Sequence, residues 1–351
     1  MSKINDDPRI DPRIKAVFGS VAMGGGRDVE SREAALKAAN SERAIATRQL
    51  MHVFLEQCDT EEIAPSEGLI ITDKTFISDP DGNTVKIQFI RPNNTDILPC
   101  VYYIHGGGMA TMSCYDGNYK AWGRIMAAQG VAVAMVDFRN ALVASSAAEV
   151  APYPAGLNDC ISGLKWVSAN SKLLSIDPSQ IIVSGDSGGG NLAIATALSL
   201  KKGGDSRLIS GIYALCPYIT GQWPTPENPS SVENNGILLD LHHNQGAMIY
   251  GMDEFHKGNA LAWPGFATED DVRGLAPTVI SVNECDPLRD EGINFYRLLM
   301  RVGVSASCRQ VMGTIHAIEV FPIACPDISR ETASSIANFC FSMRHSSQGA
   351  V

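Results

Sequence analysis

The chain has 351 residues, of which 45% are hydrophobic and 19% charged, a composition typical of a soluble globular protein. Its net charge of -10 disfavours nucleic acids and anionic membranes as principal partners. No run of about 18 apolar residues is present, so no transmembrane segment is predicted. The N-terminus lacks the apolar stretch of a secretory signal, and the nine cysteines form no Cys-x-x-Cys pair. These features predict a cytoplasmic protein with neither a disulfide framework nor a metal site.

The first part of the chain is predicted to be helical and the next part to form a hairpin. Residues 1–65 are assigned to helices because residues 29–57 place leucine and alanine at three- and four-residue spacing. This stretch could form a helix pair. The hydrophobic period then changes to two, which predicts strands at 69–78 and 84–91 around an Asp-Pro-Asp-Gly turn.

Strand patterns and helix patterns alternate through the rest of the chain. Strands are predicted at 99–104, 131–138, 181–183, 212–218 and 278–282, and helices at 119–129, 153–170, 192–200 and 293–301. This alternation predicts an α/β fold with a parallel sheet and helices on both faces. Residues 221–265 are too many for a crossover helix, so they are predicted to form part of a lid. The aromatic residues of this insertion suit either a pocket wall or ordinary packing, and Asp159 is predicted to be solvent-facing or bridging.

A glycine-rich turn joins the predicted strand at 181–183 to a helix. Gly185 and Gly189 flank Ser187 at the G-x-S-x-G spacing, which lets a nucleophilic serine occupy a strained strand-to-helix corner. A phosphate-binding loop is disfavoured because the first lysine after this serine is Lys201. A chymotrypsin-like protease is disfavoured because its histidine and aspartate would precede the serine and no helix would follow it.

A serine nucleophile needs a base, and the order of the chain favours His316. This histidine follows an apolar segment near the end of the chain, where a loop after the last strand is expected. Four other histidines lie downstream of Ser187, three in the insertion and one near the C-terminus: His242, His243, His256 and His345.

Asp286 is predicted to be the acid that orients the base, because it follows the last of the five predicted strands above. Glu284, Asp290 and Glu291 are neighbouring candidates. Pro287 fixes the backbone after Asp286 and indicates a loop there, whereas Asp290 and Glu291 are placed as charges in the first turn of a helix.

A second glycine-rich segment, residues 105–108, directly follows the strand at 99–104. Its sequence His-Gly-Gly-Gly lets backbone N–H groups face a developing oxyanion, since no side chain obstructs them. Gly188, next to the nucleophile, offers a further N–H group.

Together, these motifs resemble the hormone-sensitive-lipase family of α/β-hydrolases, and the resemblance covers roughly residues 65–320. It implies an α/β-hydrolase fold with an eight-stranded, mostly parallel sheet and a helical cap. The core is expected at 66–220 and 266–345, and the cap at 1–65 and 221–265.

The resemblance also implies a serine carboxylesterase that hydrolyses small-molecule esters through an acyl-serine, without cofactor or metal. Its triad is expected to be Ser187, Asp286 and His316. Two alternatives stay open, because the sequence does not separate them from an esterase: an amide hydrolase with the same triad, and a non-catalytic ligand-binding relative. The sequence also leaves open whether two copies form a homodimer.

By match to the family motif, the oxyanion donors are expected to be Gly107, Gly108 and Gly188. Two positions depart from the usual pattern. Gly188 replaces the alanine that commonly follows the serine, and Ala317 replaces the usual glycine after the histidine, which changes the expected shape of that loop.

Overall fold

A single eight-stranded sheet lies at the centre of the residues that the computed structural model describes, which are 3–20 and 26–343. The strands are β1 (Leu69–Ile77), β2 (Thr84–Pro92), β3 (Leu98–Ile104), β4 (Ala132–Asp137), β5 (Ile176–Asp186), β6 (Gly211–Leu215), β7 (Thr278–Asn283) and β8 (Ala306–Val311). The α-helices in the described ranges are α1 (Lys3–Asp6), α2 (Pro12–Phe18), α3 (Arg32–Ala39), α4 (Glu42–Glu56), α5 (Gly117–Ala127), α6 (Ala155–Ala169), α7 (Ser171–Leu174), α8 (Gly188–Gly203), α9 (Ser230–Glu233), α10 (Gln245–Tyr250), α11 (Met252–His256), α12 (Glu269–Val272), α13 (Arg289–Arg301) and α14 (Pro326–Ser342). His345 and the last residues of the predicted core lie outside the described ranges.

The strand order is β1-β2-β4-β3-β5-β6-β7-β8. The pairs β1–β2 and β2–β4 are antiparallel, and all other neighbouring pairs are parallel. The predicted eight-stranded, mostly parallel sheet is therefore confirmed. The carboxyl ends of β5, β7 and β8 lie on the same side of the sheet, and the loops that follow them contain the predicted triad.

Helices cover both faces of the sheet, and the alternation of side chains along β3 shows why. Tyr102 and Ile104 lie in the apolar cluster that includes residues of α6, α8 and α13, whereas Val101 and Tyr103 lie in the cluster on the face of α5 and α14. All four side chains are fully buried. A strand buried on both faces in this way is typical of a parallel sheet between two helical layers.

Several predicted elements differ in extent from the observed ones, and two of the differences have a clear structural reason. The strand predicted at 181–183 runs from Ile176 to Asp186, because β5 pairs with β3 on one side and β6 on the other. The stretch at 29–57 contains two helices, and Ser41 caps the second by accepting a hydrogen bond from the N–H of Ala44. The helix pair considered for this stretch is therefore present.

Asp159, predicted to be solvent-facing or bridging, is fully buried on α6. Its carboxylate accepts hydrogen bonds from the Arg139 side chain at 2.8 and 2.9 Å and from the Arg139 N–H at 2.9 Å. Of the two predicted alternatives, the bridging one is therefore correct, because Asp159 forms an ion pair with Arg139.

Residues 221–265 contain helices α9, α10 and α11 and no strand. The tryptophans of this insertion pack against other aromatic rings. The ring centroid of Trp223 lies 4.5 Å from that of Tyr218, just before the insertion, and the ring centroid of Trp263 lies 5.5 Å from that of Tyr250. Both tryptophans are buried, and neither lines the cavity beside Ser187 that is described below. Ordinary packing therefore accounts for them. None of the helices in the described ranges has the length and hydropathy needed to cross a bilayer.

Candidate active site

Ser187 occupies the corner between β5 and α8. Its backbone has φ 54° and ψ -119°, a region that costs free energy for any residue with a side chain. The N–H of Ser187 donates to the carbonyl of Leu215 at 3.0 Å, and its carbonyl accepts from the N–H of Tyr218 at 3.0 Å. Hydrogen bonds to the end of β6 and to the segment after it thus stabilise the strained corner that the glycine spacing predicts.

The glycines around the corner permit close backbone contacts. A Cβ atom on Gly189 would lie 2.0 Å from the carbonyl oxygen of Ile104, and one on Gly185 would lie 2.5 Å from the carbonyl oxygen of Gly189. A Cβ atom on Gly188 would lie 2.5 Å from the backbone nitrogen of Met109. The glycine in place of the family's alanine therefore lets the His-Gly-Gly-Gly loop approach the start of α8 closely.

The His-Gly-Gly-Gly loop turns sharply after β3. Gly107 and Gly108 have φ values of 96° and 64°, which favour glycine, and the carbonyl of Gly107 accepts from the N–H groups of Ala110 and Thr111. Within the described part of the chain, the N–H groups of Gly107, Gly108 and Gly188 have no hydrogen-bond acceptor. They are free to bind an anion at the N-terminal end of α8.

His316 and Asp286 form a buried hydrogen-bonded pair. The distance from His316 Nδ1 to Asp286 Oδ2 is 2.7 Å, and the other carboxylate oxygen accepts from the N–H of Leu288 at 2.9 Å. His316 is 4% exposed and Asp286 is fully buried. This arrangement suits a histidine that donates through Nδ1 and keeps Nε2 available as a base.

Ser187 and His316 line one cavity of about 980 Å³ together with Gly107 and Gly108. No hydrogen bond joins the Ser187 hydroxyl to His316 among the described residues; such bonds are often long before substrate binds. The structure therefore places the predicted nucleophile, the predicted base and two of the three predicted oxyanion donors around one space. The cavity lies at the upper end of the size range of small-molecule sites.

The surroundings of His316 favour its protonated form. Burial by itself disfavours the imidazolium and is the largest single effect, but the surrounding carboxylates, Asp286 first among them, together raise the pKa of His316 above its usual 6.5. Asp186 and Glu319 act in the same direction as Asp286. The site therefore stabilises the imidazolium that would form when His316 accepts a proton.

Sequence reasoning missed a buried network under the oxyanion loop. The N–H of Gly106 donates to the hydroxyl of Tyr119 at 2.7 Å, and this hydroxyl donates to Asp186 at 2.9 Å. The hydroxyl of Tyr103 donates to the other oxygen of Asp186 at 2.8 Å. Burial raises the pKa of Asp186. Tyr119 thus connects the oxyanion loop to the residue before Ser187, and no local pattern in the sequence indicates this contact.

Glu291 lies in the first turn of α13, as predicted, but it is only 3% exposed. Its carboxylate accepts hydrogen bonds from the N–H of Ile219 at 2.6 Å, the hydroxyl of Thr220 at 2.9 Å and the indole N–H of Trp223 at 2.6 Å. Burial raises its pKa to about 7. The assignment of Glu291 as a helix-end charge alone was therefore incomplete, because this carboxylate connects α13 to the start of the insertion.

Cys216, Asp286 and His316 place potential metal-ligand atoms within 4.8 Å of one another, and no other such group occurs in the described ranges. Burial raises the pKa of the Cys216 thiol well above its usual value, which opposes the thiolate that a metal requires. The Asp286–His316 hydrogen bond also occupies one nitrogen of the imidazole. The group therefore suits an acid–base pair better than a metal site.

Comparison with known proteins agrees with this geometry. A family model described as alpha/beta hydrolase fold matches residues 101–320. The carboxylesterase NlhH of Mycobacterium tuberculosis is 31% identical over 258 residues, which cover 69% of this chain and 73% of that protein. The structure of esterase Est22 with p-nitrophenol is 69% identical, covers 96% of this chain and 99% of that chain, and has a TM-score of 0.95. Brefeldin A esterase, described as a bacterial homologue of human hormone sensitive lipase, is 32% identical, covers 97% of this chain and 95% of that chain, and has a TM-score of 0.84.

Proposed function

We propose that Ser187, His316 and Asp286 are the catalytic triad of this chain. The chain belongs to the hormone-sensitive-lipase family of α/β-hydrolases and is a serine carboxylesterase. The observation that best supports this assignment is that the buried Asp286–His316 pair and the strained Ser187 corner lie at the same cavity. The unpaired N–H groups of Gly107 and Gly108, which line this cavity, and of Gly188, which directly follows Ser187, support an oxyanion hole made by these three glycines.

In the first half of the proposed reaction, Ser187 Oγ attacks the ester carbonyl carbon while His316 Nε2 accepts the hydroxyl proton. The carbonyl oxygen becomes an oxyanion and accepts hydrogen bonds from the three glycine N–H groups. When the tetrahedral intermediate collapses, the ester C–O bond breaks and His316 donates its proton to the leaving alcohol. Asp286 orients the imidazole by accepting the hydrogen bond from its Nδ1 atom.

In the second half, water attacks the acyl-serine carbonyl and His316 accepts a proton from it. The oxyanion forms again at the same N–H groups. Collapse releases the carboxylic acid, and His316 returns the proton to Ser187 Oγ. The cycle uses only groups of the protein, the ester and water.

We propose short acyl esters as the preferred substrates. A series of p-nitrophenyl esters from acetate to palmitate, assayed with wild type and Ser187→Ala, tests this proposal. We expect the kcat of the variant to fall by at least about 10⁴-fold, since the nucleophile is lost. Activity that peaks at laurate or longer would reject the short-acyl preference, and comparison of a butyrate ester with the matched anilide separates esterase from amidase activity.

We further propose a division of the chain into an α/β-hydrolase core at 66–220 and 266–345 and a cap at 1–65 and 221–265. The lining of the cavity supports this division. Met51 and Leu55 line it from α4, and Leu238 and Leu241 line it from the insertion. Substitution of these four side chains is expected to change which acyl length is hydrolysed best, while hydrolysis of acetate esters is retained.

A cytoplasmic location remains our proposal, and it is supported by nine free cysteines, eight of which are buried. Fractionation of the native host tests it directly. Whether two copies form a homodimer stays open, and light scattering on the purified protein decides it, because a dimer gives twice the mass of one chain. A mass of one chain at micromolar concentration would reject the dimer.

A further inference from the structure

The side chain of Asn283 connects the end of β7 with the loop that contains His316. Its Nδ2 atom donates to Thr314 Oγ1 at 3.0 Å and to the two carboxylate oxygens of Glu319 at 3.1 and 3.2 Å. Its Oδ1 atom accepts from the N–H of Ala317 at 3.3 Å. One amide group therefore contacts the loop two residues before His316, one residue after it and three residues after it.

This group, here called the Asn283 network, consists of Asn283, Thr314, Ala317 and Glu319 and is enclosed by protein. Asn283 and Glu319 are each 1% exposed, and Thr314 is fully buried. No lysine or arginine in the described ranges lies within 4.0 Å of the Glu319 carboxylate. Because a buried carboxylate is unstable without hydrogen-bond donors, the backbone N–H of Glu319 and the amide of Asn283 stabilise it, and Asn283 is the side chain that does so.

Ala317 shows why the loop needs an external hydrogen bond. It has φ 53° and ψ 28°, the left-handed conformation that favours glycine and that alanine adopts at a cost. The Asn283 amide fixes the peptide plane between His316 and Ala317 by accepting the N–H of Ala317. Since this plane adjoins the Cα atom of His316, its orientation determines where the imidazole points.

We propose that Asn283 and Glu319 are positioning residues that orient His316 toward Asp286 and Ser187. The inference rests on the proposed function, in which His316 is the base. Asn283 is the last residue of β7 and Asp286 lies in the loop that follows it, three residues later, so the network connects the loop of Asp286 with the loop of His316. Glu319 orients the Asn283 amide by accepting from its Nδ2 atom.

Three variants, Asn283→Ala, Glu319→Ala and Glu319→Gln, test the proposal by the kcat and KM of p-nitrophenyl butyrate hydrolysis. The assays are run well below each variant's Tm. Loss of the network should lower kcat by about 10- to 100-fold in both alanine variants, with KM within about threefold, because a displaced base slows the chemical step. Glu319→Gln should keep kcat within about threefold of wild type, since its side-chain oxygen still accepts from Asn283.

Tyr102→Phe serves as the matched control, because it removes a buried hydrogen bond of 2.9 Å to the carbonyl of Cys160, in the cluster on the other face of the sheet. It should lower Tm and leave kcat unchanged. The proposal is wrong if folded Asn283→Ala and Glu319→Ala retain kcat within about threefold, or if Tyr102→Phe loses as much kcat as they do. A loss in Glu319→Gln equal to that in Glu319→Ala also rejects it, because charge rather than the hydrogen bond would then matter.

Two further comparisons cover the cases in which a variant does not fold or the proposed triad is wrong. If Asn283→Ala does not fold, the comparison of Glu319→Ala with Glu319→Gln decides alone. Wild type and Ser187→Ala are measured in parallel, so failure of the proposed triad appears as activity that survives in Ser187→Ala, whatever the result at Glu319.

Discussion

At the scale of single residues, the environment of His316 determines how the site responds to pH. The imidazole is buried beside Asp286, and this carboxylate, with those of Asp186 and Glu319, raises the pKa of His316 above 6.5 despite the cost of burying its charge. A histidine that acts as a base must be neutral in the free enzyme, so the protonated fraction is inactive. Activity should therefore fall as pH decreases through the raised pKa.

The pH profile of kcat/KM tests this inference. We expect an acidic limb with a midpoint above pH 6.5 in wild type. Asp286→Asn should move that midpoint to lower pH, because the carboxylate that favours the imidazolium is lost, and should lower kcat by about 10³- to 10⁴-fold. A midpoint unchanged by Asp286→Asn would contradict the assigned role of Asp286.

The sequence was sufficient to predict the residues whose chemistry depends on spacing and chain order. Ser187 lies between two glycines at a fixed interval, and Asp286 and His316 follow strands in the expected order. Tyr119 and Glu319 could not be predicted in this way, because their contacts arise only when distant segments pack together. A buried polar residue has no local sequence signature that separates it from an exposed one.

At the scale of elements, the contact between α8 and β3 leaves no room for a side chain at Gly189. A Cβ atom there would lie 2.0 Å from the carbonyl oxygen of Ile104 and 2.6 Å from that of His105. Both contacts are with backbone, which cannot move aside without displacing the strand that precedes the oxyanion loop. This contact explains why the second residue of α8 is glycine.

Gly189→Ala should therefore destabilise the protein, by about 3 kcal/mol or more in the free energy of unfolding, because the added methyl overpacks a rigid contact. The control is Gly203→Ala in the same helix, where an added Cβ would meet no neighbouring atom of the described residues within 4 Å. This change should stabilise by roughly 0.5–1 kcal/mol through the lower entropy of the unfolded chain. Chemical denaturation measures both, and equal effects would contradict the packing argument.

The contact between α13 and the insertion should make stability depend on pH. Burial raises the pKa of Glu291 from 4.5 to about 7, so the folded state favours the protonated acid. The contribution of protonated Glu291 to the free energy of unfolding is complete below about pH 4.5 and is lost as pH rises to about 7. Relative to Glu291→Gln, wild type should lose on the order of 3 kcal/mol across this window.

Denaturant unfolding of wild type and Glu291→Gln at several pH values measures this difference. A difference in the free energy of unfolding that is constant from pH 4.5 to pH 7 would show that Glu291 does not titrate in that range. The sequence predicted the helical position of Glu291 but not its burial, since burial depends on the path of residues 219–223.

At the scale of the whole molecule, the N-terminal segment supports the loop of the proposed base. The N–H of Asp11 donates to the carbonyl of Gly313 at 2.9 Å, and Ile14 packs in the same apolar cluster as Ile315 and Ile318. Residues more than 300 positions apart in sequence therefore stabilise the position of His316. The sequence assigned residues 1–65 to helices from the periodicity of residues 29–57, but it could not place this segment beside the histidine loop, because an amphipathic pattern does not identify its partner.

The central claim is that Ser187 is the nucleophile, and covalent labelling with an alkyl fluorophosphonate tests it most directly. Wild type should gain one phosphonyl group, located on the peptide that contains Ser187, and should lose ester hydrolysis in proportion to labelling. Ser187→Ala should gain none. Labelling of a different serine that abolishes activity, or ester hydrolysis at the wild-type rate by Ser187→Ala, would contradict the account.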